Sequence, residues 1–123
     1  MFSVFTVMLG GAIGAGGRYM LGSAIAGQLG DAFPWGTLVV NLIGGLAMGL
    51  LAGGLLRSSG NEGLRLLLGV GVLGGFTTFS AFGLDVVRLI EGGQAGPATI
   101  YVLASLIGSI GLTAAGMAAV RAL

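Results

Sequence analysis

The sequence predicts an all-α integral membrane protein of four transmembrane helices, the third of them broken at membrane depth. Three observations predict it. Charged residues make up 7% of the 123-residue chain and hydrophobic residues 55%, whereas a soluble domain carries about a quarter charged residues. Four nearly charge-free stretches, residues 2–26, 34–56, 64–89 and 96–120, are each long enough as helices to cross a hydrocarbon core about 30 Å thick. The 27 glycines come with only 2 prolines and no Gly-X-Y period, a pattern of close helix packing rather than of collagen or a disordered linker.

The first stretch holds one charge, Arg18, and residues 1–17 hold none. A signal peptide needs a basic segment before its apolar run, so Ala24-Ile25-Ala26 is read as helix and not as a cleavage site. Gln28 to Phe33 and then Pro34 punctuate the chain before the second stretch, which is free of charge. A polar turn at 57–62 leads into the third. As one straight helix, 64–89 would be about 39 Å long, well beyond the hydrocarbon core. Its middle, Gly74-Gly-Phe-Thr-Thr-Phe-Ser80, combines glycines of low helix propensity with hydroxyls that can bond a broken backbone. An unwound segment belongs there, buried in protein or lining a cavity, the alternative being a tilted helix with a glycine kink. A turn at 91–97 precedes the fourth stretch. The whole of 1–123 reads as one domain.

Small residues recur at steps of four, as Gly10, Gly14 and Gly22 in the first helix and Gly45, Gly49 and Gly53 in the second. Such rows let helix backbones approach closely in lipid. Polar residues continue them. Thr37 and Asn41 precede Gly45, and the fourth helix carries Tyr101, Ser105, Ser109 and Thr113. Steps of four keep each row near one helix face, so two helices present hydroxyl and amide ladders at membrane depth. Individual Ser and Thr side chains often bond their own i−4 carbonyl, but a carboxamide such as that of Asn41 requires a partner in hydrocarbon. Phe76, Phe79 and Phe82 recur at steps of three, a core stripe unless their electropositive ring edges border the polar track. Arg18 continues the Gly10–Gly14–Gly22 row, which points it toward a helix partner or cavity, while Asp85 and Arg88 form an interfacial i, i+3 pair.

These residues exclude most chemistry. The chain has no cysteine and no histidine, which removes disulfides, thiolate and imidazole metal sites, and the common nucleophiles; the expectation is no enzyme. A net charge of +1 without a basic run does not fit a nucleic-acid partner. A ladder of neutral donors without a mid-membrane carboxylate or lysine suits a small hydrated anion, or water.

Three stretches resemble the Fluc (CrcB) fluoride channel family: Gly10-Gly-Ala-Ile-Gly-Ala-Gly-Gly-Arg18-Tyr19, Pro34-Trp-Gly-Thr-Leu-Val-Val-Asn41-Leu-Ile-Gly44, and Gly74-Gly-Phe-Thr-Thr-Phe-Ser-Ala-Phe82. The resemblance implies a multi-pass cell-membrane protein, an antiparallel homodimer in dual topology with two passive fluoride pathways. It places Phe79, Phe82, Asn41, Thr37, Tyr101, Ser105, Ser109 and Arg18 along or near the pore. It also implies a structural Na⁺ at the dimer centre, held by the backbone carbonyls of Gly74 and Thr77. The sequence departs from the family after Ser80, where Ala81 and Gly83 lack the usual hydroxyls and Asp85 stands for a longer glutamate. The alternative is a small multidrug-type exporter, which needs a membrane-embedded carboxylate for proton exchange that the first span lacks.

Overall fold

A computed structural model of the chain describes residues 2–57 and 61–123, so the middle of the expected 57–62 turn lies outside the described residues. The first span is α1 (Phe2–Leu29) and the second α2 (Trp35–Arg57). The third begins as α3 (Glu62–Leu64), widens into a π-helical stretch (Arg65–Leu73), returns to one α-helical turn, α4 (Gly74–Phe76), breaks, and resumes as α5 (Ser80–Glu91). The fourth is α6 (Ala95–Arg121). All four spans are long and apolar enough to cross a membrane.

Helix ends follow local chemistry. Gly30 terminates α1 with φ of 84°, a left-handed conformation that glycine adopts without Cβ strain. Asn61 caps α3 by accepting a hydrogen bond from the Leu64 N–H at 3.1 Å. Gly93, with φ of 76°, ends α5. The Gln94 N–H then reaches back to the Leu89 carbonyl at 2.8 Å, closing the helix by the six-to-one bond of a Schellman motif.

The expected glycine rows are packing seams. Gly10 and Gly14 seat α1 on the third span, where a Cβ on Gly14 would drive into the Val72 carbonyl. Gly71 answers from the π-helical stretch, with the Gly10 Cα 2.9 Å from where its own Cβ would stand. Gly45, Gly49 and Gly53 seat α2 on α6 against Ser109, Thr113 and Met117, and Gly116 reciprocates against Leu46 and Leu50. A Cβ on Gly36 would lie 2.7 Å from the Gly22 carbonyl, so this pair joins α1 to α2. Gly49→Val is therefore expected to separate α2 from α6, because the colliding Thr113 atoms are backbone and cannot rotate away. Gly16→Val, at an exposed position with open space for a Cβ, should be tolerated. Thermal unfolding in detergent, followed by helical circular dichroism, checks the pair.

The break falls within the expected 74–80 segment. Gly74 and Gly75 stay helical, and the chain leaves the helix at Thr77, with φ −82° and ψ 157°, to re-enter at Ser80. Gly75 packs on Gly11, whose carbonyl lies 2.5 Å from a Cβ placed there. Contact with α1 thus holds Gly75 in helical form.

Candidate functional site

The break frees backbone groups that the ladder of an intact helix would have paired, and neighbouring helices take up several of them. Asn41 of α2 does most of this. Its Nδ2 donates to the Thr78 carbonyl at 2.9 Å and its Oδ1 accepts from the Thr78 N–H at 2.8 Å. From α1, the Arg18 Nε donates to the Gly75 carbonyl at 3.1 Å. Thr77 donates its hydroxyl to the Leu73 carbonyl one turn back at 2.8 Å. The carbonyls of Gly74 and Thr77 accept no hydrogen bond among the described residues.

Beside the break runs an open groove of about 480 Å³, walled by α2, α6 and both halves of the third span. Five of the expected pore residues line it: Asn41, Phe79, Phe82, Ser105 and Ser109; Gly74 and Thr77 line it too. Ser105 is 6% exposed and its Oγ has no hydrogen-bond partner among the described residues. A hydroxyl buried at membrane depth without a partner is costly unless something in the groove completes it. Thr113 closes the ladder toward the far end, its single hydroxyl proton shared between the Gly45 carbonyl at 2.9 Å and the Ser109 carbonyl at 2.8 Å. Met48 adds a thioether to the same wall.

The phenylalanine stripe is split by the break. Phe76 stays with α4, its ring in reach of Gly17 and Gly44. Phe79 and Phe82 stand together on the far side, ring centroids 5.6 Å apart. They differ in burial: Phe82 is 8% exposed and belongs to the core, Phe79 is 79% exposed.

Arg18 and Thr37 lie outside the groove, in a second cavity of about 220 Å³ that also takes in Ser23, Gly36 and Ala81. Thr78 lines both cavities. Tyr101 borders neither. It is fully buried, its ring 5.2 Å from that of Phe82 and edge-on to Phe33, and its hydroxyl donates to Asp85 Oδ2 at 2.9 Å. The expected Asp85–Arg88 pair is therefore replaced: among the described residues the salt bridge is that of Arg65 with Glu62, and Asp85 turns inward to the tyrosine. Sequence reasoning placed Thr78 among the hydroxyls of the break but missed its pairing with Asn41 and this Tyr101–Asp85 bond. A threonine three residues ahead of the Ala81 amide is the one local sign of the role of Thr78.

Comparison with known proteins places this arrangement. A family model described as CrcB-like protein, Camphor Resistance (CrcB), matches residues 5–117. The chain belongs to the CrcB family. A curated relative from Sphingopyxis alaskensis, named fluoride-specific ion channel FluC, is 52% identical over 124 residues that cover 100% of this chain and 98% of the relative. Proteins of the same name from Chelativorans sp. (strain BNC1) and Novosphingobium aromaticivorans are 57% and 51% identical over 112 and 107 residues, covering 89% and 85% of this chain and 89% and 84% of their own. With four spans of this kind, this CrcB-family chain is a multi-pass cell-membrane protein.

Proposed function

We propose that the chain is a fluoride channel through which cytoplasmic fluoride leaves passively, working as an antiparallel homodimer of dual topology with two pores. The observation that carries the reading is the Ser105 hydroxyl, buried without a partner among the described residues in the groove that Asn41, Ser109 and the two phenylalanines share. Such a site offers N–H and O–H donors to an ion stripped of water, and aromatic edges that hold a compact anion without trapping it. The relatives named fluoride-specific ion channel support fluoride as that ion. No support stands behind the exporter alternative: α1 holds no acidic residue, and the relatives are named as channels.

A groove lined by amide and hydroxyl groups is unfavourable against lipid, and a second copy is the cover this reading gives it. Arg18, with Thr37 in the second cavity, lies on the approach to the groove in this reading and supplies positive charge there. Na⁺ fits the break, because the freed carbonyls of Gly74 and Thr77 are hard oxygen donors with no other hydrogen bond among the described residues, and an antiparallel partner would add its own pair. The ion would tie the two breaks together. Since the Thr77 hydroxyl already bonds Leu73, Thr77→Ala should leave the Na⁺ dependence of dimer stability unchanged. Loss of that dependence would make the hydroxyl the ligand.

Proteoliposomes loaded with fluoride and followed with a fluoride electrode test the function. Passive efflux at a rate proportional to protein is expected. Proton-driven movement of a cationic drug, or no transport of either, would overturn the reading.

A further inference from the structure

Thr78 is the residue on which the two halves of the third span are hung, and every polar group it has is engaged. Its N–H and carbonyl pair with the Asn41 carboxamide of α2. Its Oγ1 accepts the Ala81 N–H at 3.2 Å, one of the donors left over in the first turn of α5. The Ser80 hydroxyl, 3.4 Å away, is the other group beside it. The first carbonyl of the resumed helix is then that of Phe79, which accepts from Gly83 at 2.9 Å. Where α5 begins, and hence where Phe79 and Phe82 stand, follows from where Thr78 is held.

We propose that Asn41 and Thr78 form a bracket that fixes the start of α5, making Thr78 a positioning residue for Phe79 and Phe82 rather than a donor to the transported ion. The proposal rests on the channel reading for its functional consequence. Its structural half does not. The Asn41 carboxamide keeps one N–H for the groove after bonding the Thr78 carbonyl, whereas the Thr78 Oγ1 accepts the Ala81 N–H as a cap and has the Ser80 hydroxyl 3.4 Å away as the neighbour of its one proton. The position of Thr78 between the two cavities makes it look like a pore donor; its hydrogen bonds assign it to the wall.

Thr78→Val keeps the branched shape and the backbone contacts with Asn41 but removes the cap, while Thr78→Ser restores a hydroxyl. Amide hydrogen exchange over residues 79–83, read by mass spectrometry with α1 peptides as internal control, reports the bracket. Fluoride efflux reports its consequence. The valine variant should exchange about fivefold faster over 79–83, the size of a lost N-cap hydrogen bond, with unchanged exchange in α1 and efflux reduced at least severalfold. The serine variant should recover both. Reduced efflux with exchange unchanged would make the hydroxyl a direct donor and overturn the proposal. Faster exchange with full efflux would separate the bracket from the rings and overturn it equally, as would two unchanged readouts. If the unaltered protein moves no fluoride, the channel reading fails by itself, and the exchange comparison still decides whether Thr78 holds α5.

Discussion

Phe82→Ile is expected to reduce fluoride efflux severalfold, up to about tenfold, while the protein remains folded. The loss follows from the aromatic edge: an aliphatic side chain fills much of the same space but presents no electropositive rim, and if the lost ring edge is worth as much as one in an aromatic pair, roughly 0.5–1.5 kcal/mol, passage slows by up to about an order of magnitude. Burial decides how the result is read. Phe82 is 8% exposed and packs on Tyr101 at 5.2 Å in a core that includes Leu38 and Leu89. Isoleucine there leaves part of the ring volume empty, at about 1–2 kcal/mol of stability. Helical circular dichroism and monodisperse elution must therefore accompany the flux measurement. Phe79→Ile is the cleaner companion, because a ring 79% exposed in the single chain contributes little to its core. Undiminished flux in both variants, each folded and dimeric, would remove the rings from the mechanism.

How much of this was legible beforehand depends on whether a feature is periodic or tertiary. The spans and the glycine seams were legible because length, apolarity and steps of four are properties of one helix at a time. Gly49 against Thr113 and Gly14 against Val72 are the physical content of those rows. The break falls inside the expected 74–80 segment, on the hydroxyl side of it: Gly74 and Gly75 stay helical, and α1 packs on Gly75 through Gly11. The backbone leaves the helix at Thr77, just before Thr78, whose N–H and carbonyl are both satisfied by Asn41, 37 residues earlier. No local pattern reports such a partner. The same holds for Asp85, whose bond to Tyr101 spans 16 residues and a helix pair and displaces the i, i+3 pairing expected from spacing alone. Of the fourth-helix ladder, Ser105 and Ser109 line the groove. Tyr101 shares their face yet lies against Phe33 and Phe82, because a ring on that face reaches the core before it reaches the groove.

Charge added to one end of the spans should silence the channel, and charge added to both ends in separate chains should restore it. Orientation in the membrane follows the arginines and lysines close to the spans. Four spans put the start of α1, the end of α6 and the connection from α2 to α3 on one side, giving Arg57, Arg65 and Arg121. Arg88 stands on the other. Arg18 weighs little, since its Nε is bound to the Gly75 carbonyl inside the protein. Glu62 pairs with Arg65 at 2.7 Å, but acidic residues contribute little to the rule. The resulting bias is small, so a single gene product should insert both ways, as the proposed antiparallel dimer requires. Two lysines introduced beside Ser58 and Asn61 should fix one orientation, and two beside Gln94 the reverse. Each variant alone is expected to insert but to lose fluoride efflux, because it cannot find an inverted partner; coexpression should bring efflux back. The sequence contains no cysteine, so one introduced near either end and labelled from outside reports orientation without background. If a variant shown by that label to lie wholly one way still conducts alone, the antiparallel dimer is wrong for this protein, and the groove must be covered by a parallel copy or serve as a pore within one chain.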